Sequence, residues 1–240
     1  MTNNVKTIGQ FVADDYRTAT VFETYGIDFC CKGNKTIDEV CEAKGINKQE
    51  LIQKINEATS SNSNTGTDYK TWPLDLLADY IEKKHHRYVE EKTPIIKQYL
   101  EKICSVHGGH HPELFEIKDL FFQSAGELAA HMKKEELILF PFIRKLVAAK
   151  QTDVAPQAGF GSVQNPIKMM MHEHDNEGER FRRIAELTQN YTPPSDACNT
   201  YKVTFAFIKE FENDLHLHIH LENNILFPGS IEMEESFMKE

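Results

Sequence analysis

The chain has 240 residues, a net charge of −10 and an ordinary apolar share of 40%. That acidity argues against nucleic acid or an anionic membrane as partners. Residues 1–10 lack a signal-peptide core, and no run nears the roughly 18 apolar residues of a membrane span. Five cysteines without regular spacing fit a reducing cytoplasm better than a disulfide framework, so a cytoplasmic location is expected.

In chain order, the first segment reads as a small helical unit over residues 1–58. Thr36-Ile-Asp-Glu39 is a capping box, Asn47-Lys-Gln-Glu50 is a second start signal, and Gly26 and Gly45 sit where helices stop. The Ser/Asn/Thr-rich stretch Thr59–Thr67 reads as a linker, taken as 59–70. Residues 71–240 hold four long amphipathic segments. The first opens near Pro73 and runs to about Val106. The second runs from Pro112 to about Ala149, with a kink expected at Pro141. The third opens at Asn165-Pro166 and runs to about Gln189. The fourth follows Pro193-Pro194-Ser195-Asp196 and is expected to end near Pro228. No alternating strand pattern appears. The expected fold is all-α: an up-down four-helix bundle with the second and fourth helices parallel, on a diagonal.

One pattern occurs twice, on those two helices. His131-x3-Glu135-x2-Ile-Leu-Phe-Pro141 matches His218-x3-Glu222-x2-Ile-Leu-Phe-Pro228. Positions i and i+4 share a helix face, so each copy aims one imidazole and one carboxylate at one point. Two facing copies supply most of a dinuclear metal site. Leu128, Met132, Leu139, Phe142 and Leu146 place Glu135 in the middle of an apolar stripe, and Phe207, Phe211, Leu215 and Ile225 do the same for His218 and Glu222. A buried carboxylate must be paired, and no Lys or Arg lies on either inner stripe near these two. On the third helix His174 faces inward and His172 outward. His216 and His220 are expected to face water. On the first helix the periodicity favours His85 over His86. Imidazole and carboxylate without thiolate suit iron or manganese better than a structural zinc. Ferritin-like centres use Glu-x-x-His, not His-x3-Glu.

The arrangement resembles the hemerythrin-like family, four-helix bundles around a non-haem di-iron centre. Where hemerythrin has two histidines at i and i+4 on its third helix, this chain has His174 followed by Gly178. One nitrogen is therefore short, with His107 as a candidate to fill the gap, and a more open, labile centre is expected. Tyr25-Gly-Ile-Asp28-Phe-Cys30-Cys31-Lys-Gly33 extends the resemblance to the iron–sulfur cluster repair di-iron family, which joins a small Cys-Cys domain to a hemerythrin-like one. Ser105-Val-His107-Gly, Glu173-His174-Asp175, Pro193-Pro-x3-Ala-Cys198 and His218-x3-Glu222-Asn-Asn carry it along nearly the whole chain.

That resemblance implies two non-haem iron ions, oxo-bridged, held by His86, His131, His174 and His218 with Glu135 and Glu222 as bridges. It gives His86, against the periodicity. It implies Cys30 and Cys31 as the functional thiols, damaged iron–sulfur proteins and nitric oxide or oxygen species as partners, and a homodimer. Lys32 departs from the family's usual Cys-Cys-Gly-Gly; it is expected to make the turn less permissive and to lower a neighbouring thiol's pKa. Cys41, Cys104 and Cys198 read as structural. The expected function is repair of clusters damaged by nitrosative or oxidative stress, by iron donation; the alternatives are reduction of nitric oxide at the di-iron centre and sensing of oxygen or iron.

Overall fold

The computed structural model describes residues 6–60, 67–150, 154 and 156–237. Residues 61–66, the heart of the expected linker, lie outside them. Four short helices come first: α1 (Ile8–Asp14), α2 (Arg17–Thr24), α3 (Ile37–Lys44) and α4 (Lys48–Thr59). The caps explain their starts. The Thr36 hydroxyl accepts from the Glu39 N–H at 3.2 Å, while the Glu39 carboxylate accepts from the Thr36 N–H at 2.7 Å. The Asn47 side chain accepts from the N–H groups of Gln49 and Glu50. Thr7 and Gln10 form a further capping box at α1. Gly45, at φ 66°, ends α3 in the left-handed conformation that glycine takes without a Cβ penalty.

Four long helices follow: α5 (74–107), α6 (113–149), α7 (Gln164–Leu187) and α8 (199–236). The architecture is all-α; among the described residues the only β pairing is an isolated antiparallel bridge, Thr7–Thr36. In the bundle α5 packs on α6 and on α8, and α6 packs on α7. The parallel helices α6 and α8 meet chiefly through their last turns, as a diagonal pair should.

Three of these helices are not regular. α5 carries a π-helical turn at Ile81–His86, α6 one at Glu135–Leu139 and α8 one at Glu222–Leu226. In the last two, Phe-Pro follows directly. A proline has no N–H and clashes with the carbonyl four residues back. The wider π turn absorbs that conflict, so Pro141 breaks no helix and α8 continues past Pro228 to Ser236. The expected end near Pro228 is thus about two helical turns short.

The N-terminal helices share one apolar core with the bundle. Ile8, Phe22, Phe29 and Leu51 belong to the same buried cluster as Phe121, Phe181, Phe205, Phe211 and Ile219. A second cluster, around Leu77, Phe140, Ile143, Ile167, Met170 and Phe227, fills the other end of the bundle. The polar centre lies between the two.

Candidate metal centre

The two π turns of the repeat begin on its two glutamates. Glu135 and Glu222 are each fully buried. Glu135 sends one oxygen to each side: Oε2 lies 3.4 Å from His86 Nε2, and Oε1 lies 3.3 Å from His131 Nε2. Glu222 does the same, with Oε1 at 3.2 Å from His218 Nε2 and Oε2 at 3.2 Å from His174 Nε2. The donor atoms fall into two sets, each within 4.8 Å: His86, His218 and both carboxylates, then His131, His174 and both carboxylates. Both glutamates belong to both sets.

This arrangement fits a pair of cations. Both Glu135 oxygens, Glu222 Oε2 and His86 Nε2 are buried without a hydrogen-bond partner, and a buried carboxylate oxygen without one is costly. His131 Nε2 and His174 Nε2 lie 3.0 Å apart, about the edge expected between two ligands roughly 2.1 Å from one ion. Burial opposes charge throughout; at His131 and the two glutamates the pairings outweigh it, while at His218 burial wins and lowers the imidazole. His131 is raised to about 10 by Glu135 and Glu173, and Glu222 is held well below the usual carboxylate range by His218 and His174. A cation would act on the carboxylates in the same sense. Nitrogen–oxygen donors, with no thiolate among them, suit iron or manganese.

The outer atoms fix the rings. His86 Nδ1 meets Glu136 Oε1 at 3.0 Å, His131 Nδ1 meets Glu173 Oε2 at 2.8 Å, and His174 Nδ1 meets Asn223 Oδ1 at 2.9 Å. Such partners set the tautomer, leaving Nε2 free for a metal. The His131 imidazole, then the Lys134 ammonium, hold Glu173 at about 2 against its burial. A cleft of about 320 Å³, lined in part by Glu127, Lys134 and Glu173, opens onto His131 and His174.

The first-helix ambiguity has a structural cause. His85 and His86 are both fully buried, but only His86 joins the donor set. The π turn at 81–86 adds a residue between the stripe before it and the stripe after it, so no single wheel fits both. His85 instead bonds Asp214 through Nδ1 at 3.1 Å.

His107 is not near the centre. It lies at the end of α5, where Nε2 is 3.1 Å from Cys198 Sγ. Cys198 itself is exposed, unlike the buried Cys41 and Cys104, and the Tyr201 backbone N–H and His107 lower its pKa to about 7. His220 does not face water, and His216 is only partly exposed. Phe29 packs edge-on against both rings, with centroids at 6.1 and 5.8 Å, because the N-terminal unit covers that face of α8. Sequence periodicity within α8 alone could not reveal this cover.

The Cys-Cys segment sits on the centre. Cys31 Sγ donates to the His174 carbonyl at 3.3 Å, and the Asn223 amide that accepts from His174 donates to the Cys30 carbonyl at 3.2 Å. The two sulfurs are 3.6 Å apart and free. Asp28 organises the turn: it accepts from the Cys31 N–H at 2.9 Å and from Arg182 at 2.8 Å. Asp28, Cys30 and Cys31 form a third close group of donor atoms. The Cys31 hydrogen bond, burial and Asp28 push the Cys30 thiol well up, so the lowering expected from Lys32 is not seen there. Gly178 explains the missing histidine of α7: a Cβ there would lie 3.0 Å from Cys31 Sγ. The position is occupied by the thiol's packing.

Residues 4–59 match a family model described as a domain of unknown function, and residues 77–229 match the hemerythrin HHE cation binding domain. The chain is 32% identical over 228 residues to the iron–sulfur cluster repair protein ScdA of Staphylococcus haemolyticus, covering 95% of this chain and 98% of that one. It is 32% identical to the iron–sulfur cluster repair protein YtfE of Musicola paradisiaca, over 95% of this chain and 97% of that one. With YtfE of Yersinia pestis the identity is 34%, over 91% and 93%. With matches that span both units and run nearly end to end, the chain belongs to the iron–sulfur cluster repair protein family and carries its hemerythrin-type cation-binding domain.

Proposed function

We propose that this protein repairs iron–sulfur clusters damaged by nitrosative or oxidative stress, with iron from a labile di-iron centre as the cargo. The ligands in this reading are His86, His131, His174 and His218, with Glu135 and Glu222 shared between the ions. One observation carries it: two buried carboxylates, each placed between an imidazole on either side, with oxygens that nothing else in the core satisfies. The ions, oxo-bridged when oxidised, would supply iron to a depleted cluster. Lability follows from two imidazoles per ion, a poorer nitrogen set than a third would give. The cleft beside His131 and His174 gives that half a path to the surface. Cys31, bonded to the His174 carbonyl, and Cys30, whose own carbonyl accepts from Asn223, are the thiols that would accept iron or meet the damaged cluster.

The test is reactivation of a [4Fe–4S] enzyme inactivated by nitric oxide. Holo-protein should restore activity, while apo-protein and the Glu135→Leu variant should not. Equal reactivation by all three would refute iron donation. Sustained N₂O formation over many turnovers with a reductant would instead assign the centre to nitric oxide reduction.

A further inference from the structure

Each proposed imidazole ligand turns Nε2 toward the centre and has its Nδ1 to spare. Three of the four spare nitrogens are partnered: His86 by Glu136, His131 by Glu173, His174 by Asn223. His218 Nδ1 is buried with no hydrogen-bond partner among the described residues. The ring beside it is His85, fully buried and unused by the centre. The two imidazoles are 12° from parallel with centroids 5.6 Å apart. His85 also has one orphaned nitrogen, Nε2, while its Nδ1 is 3.1 Å from Asp214 Oδ2.

We infer that His85 and Asp214 are the outer arm of His218, joined to it by one bridging water held between His85 Nε2 and His218 Nδ1. This inference rests on His218 being a ligand. The polarity of the chain matches at every link. Asp214 accepts the Nδ1 proton of His85, which leaves His85 Nε2 an acceptor. A His218 that turns Nε2 to a metal keeps its proton on Nδ1 and is a donor there. A water accepts from the one and donates to the other. Two hydrogen bonds of about 2.8 Å span up to roughly 5.6 Å, the same scale as the 5.6 Å between the two ring centroids. Buried waters occupy such positions, between polar groups that lack any other partner. Asp214 thereby does for His218 what Glu136 does for His86 and Glu173 for His131. His85 is a positioning residue, and this also explains why a second histidine is buried beside His86.

The test compares ferrous-loaded wild type with His85→Phe, His85→Gln and Asp214→Asn, reading the rate of iron removal by a colorimetric ferrous chelator. Losing an outer partner of a metal-bound histidine weakens metal affinity by about 10–100-fold. His85→Phe keeps the stacked ring but should speed release by about that factor. Asp214→Asn should act in the same direction, more weakly. His85→Gln, with a polar side-chain end, should recover part of the retention even if the phenylalanine folds poorly. In proton NMR of the cobalt(II)-loaded protein, the shifted exchangeable N–H signal of His218 should move or vanish in His85→Phe. Tyr80→Phe, which keeps the ring packed on the other side of His85, should change neither readout. Wild-type release rates and an unmoved N–H signal in His85→Phe would overturn the inference and reduce His85 to packing. A wild-type chain that takes up no metal would instead sink the site itself, and this arm with it.

Discussion

At the scale of single residues, small differences in surroundings separate the chemistry of like side chains. Cys198 and Cys30 are the clearest pair. Cys198 is exposed at the start of α8, with the Tyr201 N–H and His107 favouring its thiolate near pH 7; Cys30 is buried and its thiol pushed well up. Iodoacetamide should therefore label Cys198 first in the native protein, with a rate that climbs as pH rises through about 7. His107→Ala should move that midpoint upward, toward the ordinary thiol value. A midpoint indifferent to His107 would remove the pair from the explanation. The Cys-Cys turn gives a second contrast. Lys32 is exposed and has no positive φ, so the lysine in place of a glycine is tolerated. Gly33 is the position that must be bare, since a Cβ there would lie 2.3 Å from the Phe29 carbonyl oxygen. Gly33→Ala should cost about 1–3 kcal/mol by overpacking, and Lys32→Gly under about 1 kcal/mol, as read from urea midpoints. Of the residues that matter here, the repeated His-x3-Glu pairs were legible in the sequence because both the spacing and the buried charge are local properties. His107 stayed only a candidate for the missing nitrogen, because nothing local says which end of a helix meets which partner.

At the scale of elements, the π turns decide the geometry. Each begins on or ends at a residue of the centre: Glu135, Glu222 and His86. The extra residue rotates the following turn relative to a regular helix, so the apolar stripe and the ligand face can both point inward. Leu137 is 72% exposed in the turn of α6, and its side chain contributes little to the core. Deleting it should let α6 close as a regular helix. The expected result is an unchanged helical signal by circular dichroism with bound iron well below two per chain. Retention of both ions would mean that the π turn is incidental. The four long helices, their order and most of their starts could be read from periodicity and caps. The π turns could not, because a wheel assumes a constant angle per residue; its preference for His85 over His86 failed at that assumption. The Phe-Pro that follows two of the three turns is plain in the sequence, but by itself it reads as a kink or an end.

At the scale of the whole molecule, the N-terminal unit and the bundle are built into one core. Phe29 lies against the imidazoles of His216 and His220, and Asn224 of α8 fills the space that Gly9 leaves open. A fragment starting at residue 67 should therefore bind a hydrophobic dye and melt well below the full chain. An unchanged Tm would show that the bundle does not need its cover. This mutual burial was invisible in the sequence because the face of α8 that receives the cover looks polar when read alone. The sharing of Glu135 and Glu222 between both halves has its own consequence. An ion held on either side would engage both carboxylates and so steady them for the other side. Filling and emptying would then be coupled, and the population should divide into chains carrying a full load and chains carrying none.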